Sequence, residues 1–208
     1  MTIYTLVLGE FETNCYLIVN EETNELIVAD PADGADVIIH KIEENHWIPK
    51  AVFLTHGHWD HFLAAKEVAA HFEIPIVSSE DEKDILGDPK LNLTFRHYPG
   101  PETIIPDRTV KEGDEIEYAG MKAVVLHTPG HTKGSCCYYF QSENTLIAGD
   151  TMFRDSYGRT DLPTGSMGSM YHSLKRLCTE LPAETRVYPG HGPATTIGYE
   201  SGAYDFRR

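Results

Sequence analysis

Val52-Phe53-Leu54-Thr55-His56-Gly57-His58-Trp59-Asp60-His61 sets three imidazoles and a carboxylate within six positions, directly after a short apolar run that reads as a strand. Crowding polar side chains at the end of a core element carries a desolvation cost, which a bound metal offsets. Histidine ligates through a neutral ring nitrogen and aspartate through an ionised oxygen. That donor set suits zinc, and also iron or manganese. The segment therefore points to a metal-dependent enzyme.

The 208 residues are enough for one sizeable domain and too few for two full ones, so residues 1–208 are expected to form a single domain. The 17 basic and 32 acidic residues leave a formal charge of -15, and no Lys/Arg cluster stands out. Nucleic-acid binding, which draws on neutralised phosphates, is disfavoured. No basic leader precedes a long apolar stretch, and nothing approaches the ~18 apolar residues of a membrane span. The protein is expected to be soluble, cytoplasmic and free of membrane partners. Cys15, Cys136, Cys137 and Cys178 form no CxxC pair and read as reduced, mostly buried thiols.

Alternating apolar and polar positions with breaks at Gly9-Glu10 and Asn20 to Asn24 predict three antiparallel strands, at Thr2 to Leu8, Cys15 to Asn20 and Glu25 to Ala29. Ala35 to His46 reads as an amphipathic helix, Lys50 to Leu54 as a strand and Phe62 to Phe72 as a helix, which puts the histidine cluster on a strand-to-helix loop. Residues 73 to 113, with Pro75, Pro89, Pro99, Pro101 and Pro106, support only a short strand and a short helix. Four runs rich in β-branched and aromatic residues then predict a second sheet: Glu115 to Tyr118, Lys122 to His127, Ser135 to Phe140 and Thr145 to Ala148. A helix over Gly168 to Leu181 and a last strand over Arg186 to Tyr188 complete the chain.

Three further polar residues repeat one local setting, each just past an apolar strand and next to glycine. They are His131 in Pro129-Gly130-His131, Asp150 in Gly149-Asp150 and His191 in Pro189-Gly190-His191. Glycine lets backbone approach a crowded site. Strand ends converging on one sheet edge could therefore present His56, His58, Asp60, His61, His131, Asp150 and His191 together.

Thr-His-x-His-x-Asp-His followed by separate Gly-His, Gly-Asp and Gly-His positions resembles the metallo-β-lactamase superfamily over nearly the whole chain. Gly149-Asp150-Thr151-Met152-Phe153 and Gly158-Arg159-Thr160-Asp161-Leu162-Pro163 resemble its short glyoxalase II-like hydrolases. The resemblance implies an α+β fold, an αββα sandwich of two mixed sheets flanked by helices. It also implies two divalent metal ions, zinc first among the candidates. His56, His58 and His131 would ligate one metal and Asp60, His61 and His191 the other, with Asp150 bridging. Two such cations acidify a shared water, so a bridging hydroxide could attack a thioester such as S-lactoylglutathione. Asp60 and Asp150 are then the catalytic carboxylates, and the partner is a small acyl-thiol substrate.

Arg159 is a candidate substrate anchor, since the matching loop of larger glyoxalase II enzymes supplies a basic residue to the glutathione glycine carboxylate. A structural pair with Asp161 is the alternative. Asp161 and Pro193 stand where those enzymes place tyrosines, and their basic C-terminal extension has no counterpart here. His127 could support a ligand or simply pack. Asn14 could approach the metals or form a turn. His40, His46, His71, His97 and His172 read as surface or packing residues. At least one of Tyr138, Tyr139 and Phe140 belongs to the core, and Tyr199 to Phe206 is expected to pack. The rival activities are a mononuclear-iron persulfide dioxygenase and a metallo-hydrolase of another ester, thioester or lactam; a non-catalytic metal-binding or scaffold protein is a further alternative.

Overall fold

The computed structural model describes residues 1–96 and 100–204; His97, Pro99 and Phe206 lie outside the described residues. Two six-stranded sheets carry the architecture. The first is ordered β1 (Thr2–Leu8), β2 (Thr13–Asn20), β3 (Glu25–Ala29), β4 (Ile48–Phe53), β5 (Ile76–Ser79) and β6 (Arg108–Val110). Its first two pairings are antiparallel and the other three parallel. The second sheet runs from β7 (Glu115–Tyr118) through β8 (Met121–His127), β9 (Cys136–Phe140), β10 (Thr145–Gly149) and β11 (Arg186–Pro189) to β12 (Thr195–Thr196). Only β10 and β11 pair in parallel there.

The helices are α1 (Ala35–Glu44), α2 (Ala65–Phe72), α3 (Lys83–Gly87), α4 (Met167–Glu180) and α5 (Ile197–Ala203). Strand alternation distributes the apolar residues over three packed layers. Along β2, Cys15, Leu17 and Val19 pack with Ile38 and Ile42 of α1 and Val68 of α2. Tyr16 and Ile18 face the other way, into the layer between the sheets. Cys137 and Tyr139 of β9 pack with Leu174 and Leu177 of α4, whereas Cys136, Tyr138 and Phe140 fill the space between the sheets. The αββα sandwich implied by the sequence resemblance is the observed fold.

Most elements fall where the sequence places them, and β1, β3 and β7 agree at both ends. Three do not. The helix expected from Phe62 begins at Ala65, because the cluster first closes a tight turn over Trp59–His61 through His61 N–H to His58 C=O (3.0 Å) and Phe62 N–H to Trp59 C=O (3.2 Å). β6, three residues long amid prolines, and β12, two residues long, are too short to show a period. No helix among the described residues is long and apolar enough to cross a membrane.

Phe53 and Tyr138 meet between the sheets with ring centroids 4.6 Å apart, and the Tyr138 hydroxyl donates to the Leu54 carbonyl at 2.9 Å. All three residues of the Tyr138 to Phe140 run are buried. Phe53→Ala is expected to cost about 3–5 kcal/mol through the cavity it leaves. Urea denaturation of the metal-free protein measures it.

Candidate metal centre

The strand directions explain why distant residues meet. β8 and β10 are each antiparallel to β9, and β11 is parallel to β10, so these three strands run the same way. Their C-terminal ends therefore lie on one edge. His131 follows β8 after a Pro-Gly turn, Asp150 directly follows β10 and His191 follows β11. From the first sheet, His56, His58, Asp60 and His61 follow the end of β4.

Seven predicted residues come together, in three overlapping groups whose donor atoms lie within 4.8 Å of one another: His56, His58, His131; His56, His61, Asp150; and Asp60, His61, His191. Asp150 sits between the outer two. Its Oδ1 is 3.3 Å from His61 Nε2, and its Oδ2 is 3.4 Å from His131 Nε2 and 3.6 Å from His191 Nε2. Asp60 Oδ2 lies 3.4 Å from His191 Nε2 and 3.7 Å from His61 Nε2. Donors about 2.1 Å from a tetrahedral ion stand about 3.4 Å apart, so these spacings fit.

Hydrogen bonds fix which nitrogen faces the cluster. His56 Nδ1 meets Thr55 Oγ1 at 3.1 Å, His61 Nδ1 meets Asp30 Oδ2 at 3.0 Å, His131 Nδ1 meets the Arg159 carbonyl at 2.7 Å and His191 Nδ1 meets the Phe11 carbonyl at 3.0 Å. Engaging Nδ1 leaves Nε2 as the inward donor atom. His58 differs: its Nδ1 meets His131 Nε2 at 2.7 Å, so it presents Nδ1 to the cluster. Nε2 of His56 and His61 and Oδ1 of Asp150 are buried without a hydrogen-bond partner, and such orphaned atoms within one His/Asp group mark a metal-binding cluster.

Charge agrees with that conclusion. Burial, aided by the neighbouring imidazoles, holds His56 well below the usual imidazole range and His58 down to about 3, so both present neutral lone pairs. Burial opposes ionisation of Asp150 and Asp60, yet His61 and the other nearby imidazoles outweigh it and keep both carboxyls below their ordinary range. Burial would likewise lower His61, but Asp150, Asp60 and Asp30 raise it well above, which shows how strongly the surrounding charge favours a cation.

Sequence reasoning missed Asp30 and Glu82. Asp30 accepts from Thr55 N–H (2.8 Å), Thr55 Oγ1 (2.7 Å) and His61, so it orients two histidine positions at once. It follows β3 just as Asp150 follows β10, a signal that could have found it. Glu82 is wholly buried, and burial pushes its carboxyl up to about 7 against three opposing hydrogen bonds. Asn14 takes neither expected role: its side chain donates to the carbonyls of Pro189 and Gly192, both at 2.9 Å, and so shapes the His191 loop. His127 bonds the Lys133 carbonyl at 3.0 Å and no ligand. Of the other histidines set aside, none among the described residues joins the cluster.

A cleft of about 580 Å³ opens onto His58, Asp60, His131, Asp150 and His191. Phe11, Trp59, Leu93, Phe153, Tyr157 and Leu162 give it apolar walls, and Arg96 and Arg159 are its two arginines. Arg159 forms a two-pronged pair with Asp161, both bonds 2.8 Å.

Two helix-backed sheets with a histidine and aspartate cluster on one edge define a metal-dependent hydrolase scaffold. Residues 8–191 match the Lactamase_B family, the metallo-beta-lactamase superfamily, and the chain belongs to it. It is similar to the hydroxyacylglutathione hydrolase GloC of Haemophilus influenzae, 32% identical over 208 residues that cover 99% of this chain and 98% of that one. A crystal structure of BLEG-1, a B3 metallo-beta-lactamase, superposes with a TM-score of 0.91 at 35% identity and 97% coverage of both chains. The protein TTHA1623 in a di-iron-bound form superposes with a TM-score of 0.85 at 32% identity, covering 98% of this chain and 99% of that one.

A Cβ added at Gly190 would collide with Asp150 Oδ1 and come within 2.6 Å of His61 Cε1. Gly190→Ala is therefore expected to lower metal content, by elemental analysis, while far-ultraviolet circular dichroism stays that of the wild type.

Proposed function

We propose that this metallo-hydrolase is a dinuclear thioester hydrolase of the glyoxalase II-like type, with S-lactoylglutathione or a related acyl thiol as substrate and residues 1–208 as one domain. The observation that carries it is the pairing of two three-residue donor groups across one carboxylate, Asp150. His56, His58 and His131 would hold one ion, and Asp60, His61 and His191 the other. Zinc fits this donor set first. Iron and manganese fit it too, and the di-iron form of a similar protein supports keeping iron open. A pair of divalent ions supplies an acidified water and polarises the acyl carbonyl.

The chain's own residues do the rest. Asp150 and Asp60 stay ionised and fix the spacing of the two donor groups. The Arg159 carbonyl braces His131, so the Gly158 to Leu162 loop is tied to a metal ligand while its side chains line the cleft. The Phe11, Trp59, Phe153 and Tyr157 walls exclude water around an acyl chain, and the Arg159 fork offers a site for a substrate carboxylate once it leaves Asp161.

The similarity to GloC supports the thioester, and the similarity to BLEG-1 gives lactam opening a second standing. Thiol release from a panel of glutathione and other thioesters, run beside nitrocefin, separates them: thioester turnover far above nitrocefin turnover is expected, and the reverse overturns the proposal. Asp60→Ala and Asp150→Ala are expected to abolish turnover and lower metal content. Arg159→Ala is expected to raise KM about fivefold with kcat nearly unchanged, since an exposed ion pair contributes at most about 1 kcal/mol.

A further inference from the structure

Glu82 ends a short turn, Glu80–Glu82, that follows β5, and its side-chain hydrogen bonds go to residues beside the cluster rather than in it. Its neighbours Glu80 and Asp81 reach solvent, but Glu82 has no exposed surface. Oε2 accepts the Gly57 N–H at 2.8 Å. Oε1 accepts the Gly134 N–H at 2.9 Å and the Thr132 hydroxyl. Gly57 stands between His56 and His58, and Thr132 directly follows His131. One carboxylate thus joins the first-sheet loop at Gly57, between His56 and His58 and ahead of Asp60 and His61, to the second-sheet loop carrying His131. Gly57 is the residue that admits it, since a Cβ there would lie 2.8 Å from Glu82 Oε2 and 2.9 Å from Ile85 Cγ2.

The geometry points to Glu82 as a positioning residue that sets the distance between the His56, His58 pair and His131, and so tunes the affinity of that one metal position. This rests on the dinuclear assignment made above. The chemistry requires a carboxylate. Three donors approach two oxygens from both sides, and an amide offers one oxygen and an NH2 group. Glutamine could satisfy Gly57 or the Thr132, Gly134 side, never both, so one loop is released. Asp60 and His61 follow on the same loop, but the Asp60, His61, His191 group has braces that Glu82 does not touch, Asp30 on His61, the Phe11 carbonyl on His191 and Asn14 on the His191 loop, and is expected to keep its affinity.

Zinc competition against a chromophoric chelator tests this in two backgrounds. Asp60→Ala leaves the three-imidazole group intact, and His58→Ala leaves the other. Glu82→Gln is expected to weaken zinc binding about 10–100-fold in the first background and leave it unchanged in the second. Thr132→Val, which deletes one donor, shifts the first background in the same direction by less, and Thr132→Ser restores it. Equal zinc affinity with and without Glu82→Gln in the Asp60→Ala background overturns the proposal, as does an equal loss in both backgrounds. Should Glu82→Gln fail to fold by circular dichroism, the Thr132 pair decides: Val weaker than Ser supports the role, and Val equal to Ser overturns it. Wild-type protein that takes up no metal overturns both this role and the dinuclear assignment; wild-type protein that takes up two metals while Glu82→Gln matches it overturns this role alone.

Discussion

Five imidazoles share one buried space, and the hydrogen bonds on the far side of four of them determine what that space can bind. Thr55, Asp30, the Arg159 carbonyl and the Phe11 carbonyl each engage a histidine Nδ1. With Nδ1 engaged in each, Nε2 is the atom left to face the shared space. A cluster of imidazolium ions would repel itself, whereas neutral imidazoles beside ionised aspartates create a field that only a cation relieves. The chemistry of the cluster depends on this outer ring as much as on the four imidazoles it orients.

The ring in turn depends on how the sheets dock. Asn14 and Tyr16 of β2 both donate to the Pro189 carbonyl, at 2.9 and 2.6 Å, and Asn14 N–H reaches the Gly190 carbonyl at 2.8 Å. Cys136 N–H meets the Thr55 carbonyl at 2.9 Å on the other side of the cluster. Each contact fastens one sheet to a ligand loop of the other, so packing between the layers and geometry at the edge are a single structural problem. The aromatic contact of Phe53 with Tyr138 fills the interior of the joint whose rim is the metal centre.

Much of this was legible in the sequence because its signals are local. A polar residue just past an apolar strand, with glycine beside it, marked His131, Asp150 and His191, and the strand directions then brought those ends to one edge. β1, β3 and β7 were legible because glycine, asparagine or proline punctuates the chain beside them. Asp30 follows the same rule without an adjacent glycine and escaped notice. Glu82 had no local signal at all: it closes an acidic triplet that reads as a solvated face, and its burial comes from Gly134 and Thr132, some fifty positions along the chain. Arg159 was read both as an anchor and as a partner of Asp161, and only coordinates could show the two-pronged pair.

The clamp of Asn14 on the His191 loop spans 175 residues to Pro189 and 178 to Gly192. In chain order the three-imidazole group is complete at residue 131, while the Asp60, His61 group waits for residue 191. Closing so long a loop costs entropy, so this contact is expected to form later than the local ones. On the two-metal proposal, a chain cut before residue 191 would offer incoming ions an unequal pair of berths, one furnished and one lacking its final wall.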